Sequence, residues 1–135
     1  MSTRVRHFIL YQFPAVLWAA IIFIASSMPA SKLPKIAFLV SDKIVHGAVF
    51  FVFGLLVYRA LEPKIRVDTI DWRRLLLSIS AVVIYGIIDE YHQSFVPGRT
   101  VDVLDASADS VGGVLSGIVI YLMNWWRRMR MEMRS

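Results

Sequence analysis

The chain has 135 residues, of which 57% are hydrophobic and 19% are charged, and its mean hydropathy is +0.60. These values exclude a soluble domain of ordinary composition and predict one domain whose solvent is lipid. The absence of cysteine excludes disulfides, thiolate metal sites and a cysteine nucleophile, and we expect the net charge of +5 to reflect membrane sidedness, not nucleic-acid binding.

Four apolar runs predict an all-α fold, a four-helix transmembrane bundle formed by one domain, residues 1–135. A helix of about 20 residues crosses the roughly 30 Å hydrocarbon core at about 1.5 Å per residue. The third apolar run, Leu75 to Ile88, is too short for this. We therefore expect its helix to begin near Trp72 and to carry Asp89 and Glu90 to the membrane boundary. The predicted helices are about 8–27, 44–61, 72–92 and 105–126.

Proline and small residues bear on the shape and packing of these helices. Pro14 in the first helix indicates a kink, because proline lacks an N–H and clashes with the preceding turn. In the fourth helix, Gly113 with Gly117 and Ala108 with Gly112 are small residues four positions apart. Such pairs predict close contact with a neighbouring helix.

Positive charge predicts the orientation. Basic residues are concentrated at both termini and between the second and third helices, so the positive-inside rule predicts an N-in/C-in topology with short extracytoplasmic loops. The predicted cytoplasmic set is Arg4, Arg6, Arg59, Lys64, Arg66, Arg73, Arg74, Arg127, Arg128, Arg130 and Arg134, against Lys32, Lys35, Lys43 and Arg99 outside.

Ionisable residues cluster at the predicted outer end of the bundle. Asp102, Asp105 and Asp109 are spaced to share one face at the start of the fourth helix. Three carboxylates on one stripe repel each other and need cations or protons, and the nearest basic residues in sequence are Arg99 and His92. The same end receives the last turn of the third helix, with Asp89, Glu90, His92 and Gln93, and the first turn of the second, with Asp42, Lys43 and His46.

Several chemistries fit this cluster. Asp89, Glu90 and His92 are the predicted catalytic residues if carboxylates and a histidine exchange protons. The predicted ligand-binding residues are Asp42, Lys43, His46, Gln93, Arg99, Asp102, Asp105 and Asp109. A divalent metal is a further hypothesis, with Asp89 and Asp105 as its candidate ligands. Alternatively, Lys43 and Arg99 hold an anionic headgroup, or the charges pair internally and only tie the helices together.

Four motifs, in this order, resemble those of the VanZ-like family of small bacterial membrane proteins. The resemblance covers nearly the whole chain, with Asp109 standing where many members carry asparagine. The motifs are Ser26-Ser27-Met28-Pro29, Asp42-Lys43-x-x-His46, Asp89-Glu90-x-x-Gln93-x-Phe95-x-Pro97-Gly98-Arg99 and Asp102-x-x-Asp105-x-x-x-Asp109-x-x-Gly112.

The resemblance implies four transmembrane helices, a multi-pass protein of the bacterial cytoplasmic membrane and, as for the founding member, reduced susceptibility to teicoplanin. The partners we expect are membrane lipid and a lipid-linked cell-wall precursor or glycopeptide. We expect an envelope protein with an outward-facing acidic pocket that binds or modulates such ligands. The alternatives are a membrane-interface hydrolase or transferase acting on lipid headgroups, and a transporter component in which the acids relay protons or cations.

Overall fold

The computed structural model describes residues 2–29, 31, 42–61 and 71–133. Each regular element in these ranges is a helix, and four helices are long and apolar enough to cross a membrane, which confirms the predicted all-α fold. The four helices are α1 (Thr3–Ser26), α2 (Asp42–Ala60), α3 (Trp72–Gln93) and α4 (Val103–Glu132). Five residues of the charge prediction, Lys32, Lys35, Lys64, Arg66 and Arg134, lie outside the described ranges.

The first and last helices are longer than the apolar runs suggest. Helix α1 begins at Thr3 because the Ser2 side chain accepts a hydrogen bond from the Arg4 amide and caps the first turn. Helix α4 continues past Trp126 to Glu132, since the residues that follow contain no helix breaker. At about 1.5 Å per residue, its 30 residues span about 45 Å, more than the hydrocarbon core requires.

Pro14 acts on α1 through a widened turn. Residues Phe8–Gln12 form one π-helical turn, and α-helical geometry resumes at Phe13 with Pro14 in its first turn. Proline has no N–H to donate, and its ring clashes with the carbonyl four residues earlier, that of Leu10. The π turn accommodates both effects, and it lies at the position where the sequence predicts a kink.

Close packing of α4 on α2 forms the centre of the bundle. A Cβ atom at Gly112 would overlap the carbonyl oxygen of Gly47 on α2, so the two backbones touch at this point. A Cβ atom at Gly113 would lie 2.8 Å from Cγ1 of the Val82 side chain on α3. The small-residue pairs of the fourth helix therefore act as predicted. Beside them lies an apolar core formed by Ile22, Phe50, Phe53 and Val82.

Side-chain contacts define the two ends of the bundle. At one end, Arg74 Nε donates to the carbonyl of Tyr58 at 2.8 Å, and Asn124 bonds the Tyr58 hydroxyl at 3.3 Å. Arg59 lies over the Tyr11 ring at 5.5 Å. The start of α1, the end of α2, the start of α3 and the last turns of α4 thus share this end, with most of the described arginines. The acidic residues of the predicted pocket lie at the other.

Candidate functional site

The candidate site lies where α2 begins, α3 ends and α4 begins. After Gln93 the chain reverses through Pro97 and Gly98, and Gly98 adopts a φ of 77° that other residues rarely take. Helix α4 then starts at Val103, and the side chain of the preceding Asp102 accepts from the Leu104 amide at 2.8 Å as an N-cap. The Asp102 amide donates to Glu90 Oε2 at 3.1 Å. This contact fixes the start of α4 against the end of α3.

The acids of α4 form the predicted stripe, and they become more buried along the helix. The side chains of Asp102, Asp105 and Asp109 are 38%, 10% and 0% exposed. Lys43 bonds Asp102 at 2.5 Å and also bonds Asp105. The stripe is therefore neutralised in part by a lysine of α2, and not by the nearest basic residues in sequence.

Lys43 also lowers the pKa of Asp102. Its ammonium group, together with the Leu104 amide, holds the pKa of the Asp102 carboxyl below its usual value of 3.8. The side chains of Lys43 and Asp102 are 35% and 38% exposed, so this ion pair is more exposed to solvent than Asp105 and Asp109 are.

His46 lies deeper and pairs with the fully buried Asp109. Its Nδ1 atom is 3.0 Å from Asp109 Oδ1. Three possible metal-ligand atoms, one from each of His46, Glu90 and Asp109, lie within 4.8 Å of one another. Glu90 Oε1 and Asp109 Oδ2 are buried and have no hydrogen-bond partner among the residues that the structure describes. The deepest part of the site thus contains two carboxylates that are only half satisfied.

A second group of possible metal ligands shares His46. Here too, one possible metal-ligand atom from each of Asp42, His46 and Asp105 lies within 4.8 Å of the other two. Asp42 is exposed and Asp105 is buried. Asp105, predicted from sequence as a metal ligand, belongs to this group, although it also pairs with Lys43. Asp89, the other candidate, is in neither group found among the described residues.

The three residues predicted to be catalytic make separate contacts. Asp89 accepts from Gln93 at 3.1 Å, and both side chains are buried. His92 Nε2 is 2.9 Å from the Ser27 hydroxyl, and its ring stacks on Phe23 of α1 at 4.6 Å. The histidine that approaches Glu90 is His46, which comes from a different helix.

Arg99 joins the site to α1. Its guanidinium donates to the carbonyls of Met28 and Ala25, both at 3.3 Å. These carbonyls lie at the carboxyl end of the helix, where intrahelical donors run out and positive charge is favourable. Lys43 and Arg99, the two cations predicted to hold an anionic headgroup, therefore both bind acceptors of the protein itself.

A family model described as VanZ/LLP1 matches residues 8–126. The chain belongs to the VanZ/LLP1 family. This confirms the resemblance read from the four motifs, and no curated protein and no solved structure matches the chain. With four helices able to span the bilayer, this family member is a multi-pass membrane protein in contact with lipid.

In this VanZ/LLP1 protein the four sequence motifs meet at one end of the bundle. Ser27 of the first motif contacts His92, and Lys43 of the second contacts Asp102 of the fourth. Glu90 of the third also contacts Asp102, through its amide. The hydrogen bond from Arg99 of the third motif to Met28 of the first joins residues that are 71 positions apart in the sequence.

Gly86 is a residue of the site that the sequence analysis missed. A Cβ atom there would lie 2.9 Å from Asp109 Cβ and 3.2 Å from the unpartnered Asp109 Oδ2. The absence of a side chain at this position leaves room for the Asp109 carboxylate. The sequence spacing could have identified it, because Gly86 is four residues before Glu90 and therefore lies on the same face of α3.

Proposed function

We propose that this chain is a protein of the bacterial cytoplasmic membrane whose acidic cluster binds a lipid-linked or glycopeptide-related ligand of the cell envelope. The cluster faces outward, and both termini lie in the cytoplasm. The distribution of the described arginines at the opposite end of the bundle supports this orientation by the positive-inside rule. Membership of the VanZ/LLP1 family supports a role in the envelope and in resistance to teicoplanin.

The observation that carries the proposal is the pair of half-satisfied carboxylates. Glu90 and Asp109 are 3% and 0% exposed, yet each keeps one oxygen without a partner in the described part of the chain. An unpaired buried ion costs several kcal/mol, so carboxylates that serve only packing are normally fully bonded. These oxygens are positioned to accept a group supplied by a ligand.

The charge of the site indicates what that group is. Lys43 is shared between Asp102 and Asp105, and Arg99 is bound to backbone carbonyls. The remaining surface is acidic, so a cation or a hydrogen-bond donor complements it better than a bare anion does. An anionic headgroup would have to displace existing contacts of Lys43 or Arg99.

A resistance assay with matched variants tests the proposal. The chain, Glu90→Gln and Asp71→Asn are expressed in a teicoplanin-susceptible bacterium, with membrane levels checked by immunoblot. Asp71 caps α3 at the opposite end of the bundle, and asparagine caps equally well. We expect the chain and Asp71→Asn to raise the inhibitory concentration of teicoplanin, and Glu90→Gln to lose the effect at equal membrane level.

Direct binding provides the second arm of the test. Purified protein in nanodiscs is titrated with fluorescent teicoplanin and, separately, with a lipid-linked cell-wall precursor. Saturable binding that is weakened in Glu90→Gln supports the proposal and identifies the ligand class. If neither compound binds and Glu90→Gln protects cells as well as the unaltered chain, the proposal fails.

A second candidate function is catalysis, favoured by the contact between His46 and Asp109. A histidine 3.0 Å from a buried carboxylate, with Glu90 beside it, is an arrangement suited to general acid and base chemistry. The active residues would then be His46, Glu90 and Asp109. Lipid extracts of cells expressing the chain or His46→Gln distinguish turnover from binding, because only an enzyme produces lipid species that disappear in the variant.

A further inference from the structure

We infer that His46, Glu90 and Asp109 bind a divalent first-row transition-metal ion, such as Zn²⁺ or Mn²⁺. The three side chains come from α2, α3 and α4, so the ion would join three helices at the buried end of the acidic cluster. The inference deepens the proposed function and rests on it for the location of the site, since the ion is the group that an envelope ligand would meet there.

The geometry of the three side chains is close to that of a coordination site. One donor atom of each residue lies within 4.8 Å of the others. Ligand atoms about 2.1 Å from a common ion in a tetrahedral site are about 3.4 Å apart, so side-chain adjustments of at most about 1.4 Å would complete the site. Glu90 Oε2 already accepts the Asp102 amide at 3.1 Å, which orients the carboxylate as outer contacts do in metal sites.

The unpartnered oxygens are the independent sign of a missing ligand. Glu90 Oε1 and Asp109 Oδ2 are the buried side-chain atoms left without a hydrogen bond in the described ranges, and both belong to this group of three. Buried oxygens without donors are rare unless an ion or water occupies the space. That both fall on the same trio is what separates it from an ordinary acidic cluster.

Charge balance favours a divalent ion. Two carboxylates and a neutral imidazole carry a formal charge of −2, which one divalent cation cancels. Lys43 does not provide this balance, because it is bonded to Asp102 and Asp105 nearer the exposed edge. Without an ion, the buried carboxylates of Glu90 and Asp109 would share only the Asp102 amide and His46 as partners within the described segments, and burying charge that is compensated only in part opposes folding.

Gly86 provides room beside the deepest ligand. A Cβ atom there would lie 3.2 Å from Asp109 Oδ2. This is shorter than an ordinary van der Waals contact, so the carboxylate would have to shift. With glycine, no side chain at position 86 of α3 contacts the unpartnered oxygen. The nature of the ion follows from the donor set: imidazole with carboxylates suits Zn²⁺ or Mn²⁺, whereas Mg²⁺ and Ca²⁺ prefer all-oxygen sites.

Metal analysis of matched variants tests the inference. The unaltered chain, Glu90→Gln, Asp109→Asn and Asp89→Asn are purified in detergent, dialysed against Zn²⁺ or Mn²⁺, freed of unbound ion and analysed by mass spectrometry. Asp89→Asn is the control, because Asp89 is as buried as its neighbour Glu90 but bonds Gln93 and belongs to neither group of three. We expect about one ion per chain in the unaltered protein and the control, and loss of the ion in the other two variants.

Two readouts keep the test decisive if a variant does not accumulate. In the unaltered chain, added Zn²⁺ should raise the unfolding temperature in a concentration-dependent manner, because only the folded state holds the site. The spin-echo spectrum of bound Mn²⁺ should show coupling to an imidazole nitrogen, which His46→Ala removes. Absence of bound ion in the unaltered chain, or equal ion content in Glu90→Gln, overturns the inference.

Failure of the metal site and failure of the proposed function give different results. If the chain binds no ion but still binds teicoplanin or the precursor through Glu90, the metal site alone is wrong. If ions bind as expected and neither compound binds, the metal site stands and the proposed function fails.

Discussion

Gly112 on α4 lies directly against the backbone of Gly47 on α2, with no space for a side chain between them. The contact is one turn from the residues of the site, because Asp109 precedes Gly112 by three positions and His46 precedes Gly47 by one. Small residues at a helix crossing let the two backbones approach closely. We conclude that this approach is what brings His46 within hydrogen-bond distance of Asp109.

Gly112→Ala should therefore destabilise the protein and disturb the site. Its Cβ would overlap the Gly47 carbonyl oxygen and lie 2.9 Å from the Phe51 amide nitrogen, which forces α2 and α4 apart. Overpacking of this kind costs about 1–3 kcal/mol. Thermal unfolding in detergent measures the effect. Gly47→Ala is the matched control, because its Cβ would meet only the Ala108 carbonyl oxygen at 3.4 Å; equal losses in both variants would contradict the argument.

Asp102→Asn should make the unfolding temperature less dependent on acid pH. The pKa of Asp102 is lowered in the folded protein, mainly by its hydrogen bond with Lys43. A carboxyl with a lowered folded pKa stabilises the fold above its unfolded pKa, 3.8, and loses this contribution as pH falls through the folded value. Asparagine keeps the N-cap of α4 but not the charge.

The check is a series of unfolding curves for both proteins as a function of pH. The difference in unfolding temperature between the unaltered chain and Asp102→Asn should be constant above about 3.8 and should shrink below it. A difference that grows on acidification would show that the carboxyl is not stabilised in its charged form.

Arg99→Ala should lower the free energy of unfolding by about 1 kcal/mol. The substitution removes a partly exposed guanidinium, and the carbonyls of Ala25 and Met28 lose their hydrogen-bond donor. Arg99→Lys keeps the positive charge at the end of α1 and should recover part of the loss. Unfolding temperature and teicoplanin binding are measured on the same samples. Unchanged stability with lost binding would instead support the prediction from sequence that Arg99 contacts the ligand.

Cysteine labelling tests the orientation on a background free of native cysteine. Ser94→Cys, just after α3 at the acidic end, should react with a membrane-impermeant maleimide added to intact cells. Arg127→Cys, exposed in the last turns of α4, should react only after permeabilisation. The reverse pattern would place the acidic cluster in the cytoplasm and would invalidate an outward-facing site.

The α4 stripe illustrates how far sequence reasoning reached. The spacing of Asp102, Asp105 and Asp109 predicted one shared face, and the structure has that face directed at α2. Lys43 and His46 were placed at the same end of the bundle, but the nearest candidates in sequence to neutralise the stripe were Arg99 and His92. Those two residues contact α1 instead, through Met28 and Ser27.

The sequence by itself determined the number of helices, the end of the bundle that is acidic and the residues of α4 that share a face. These properties depend on the length of apolar runs, on charge and on the period of one helix, all of which are local. Only the tertiary structure decided that His46 meets Asp109 and Glu90, and that His92 does not. Such a contact depends on which faces of different helices touch, here through the close approach at Gly47 and Gly112, and helical periodicity carries no information about that choice.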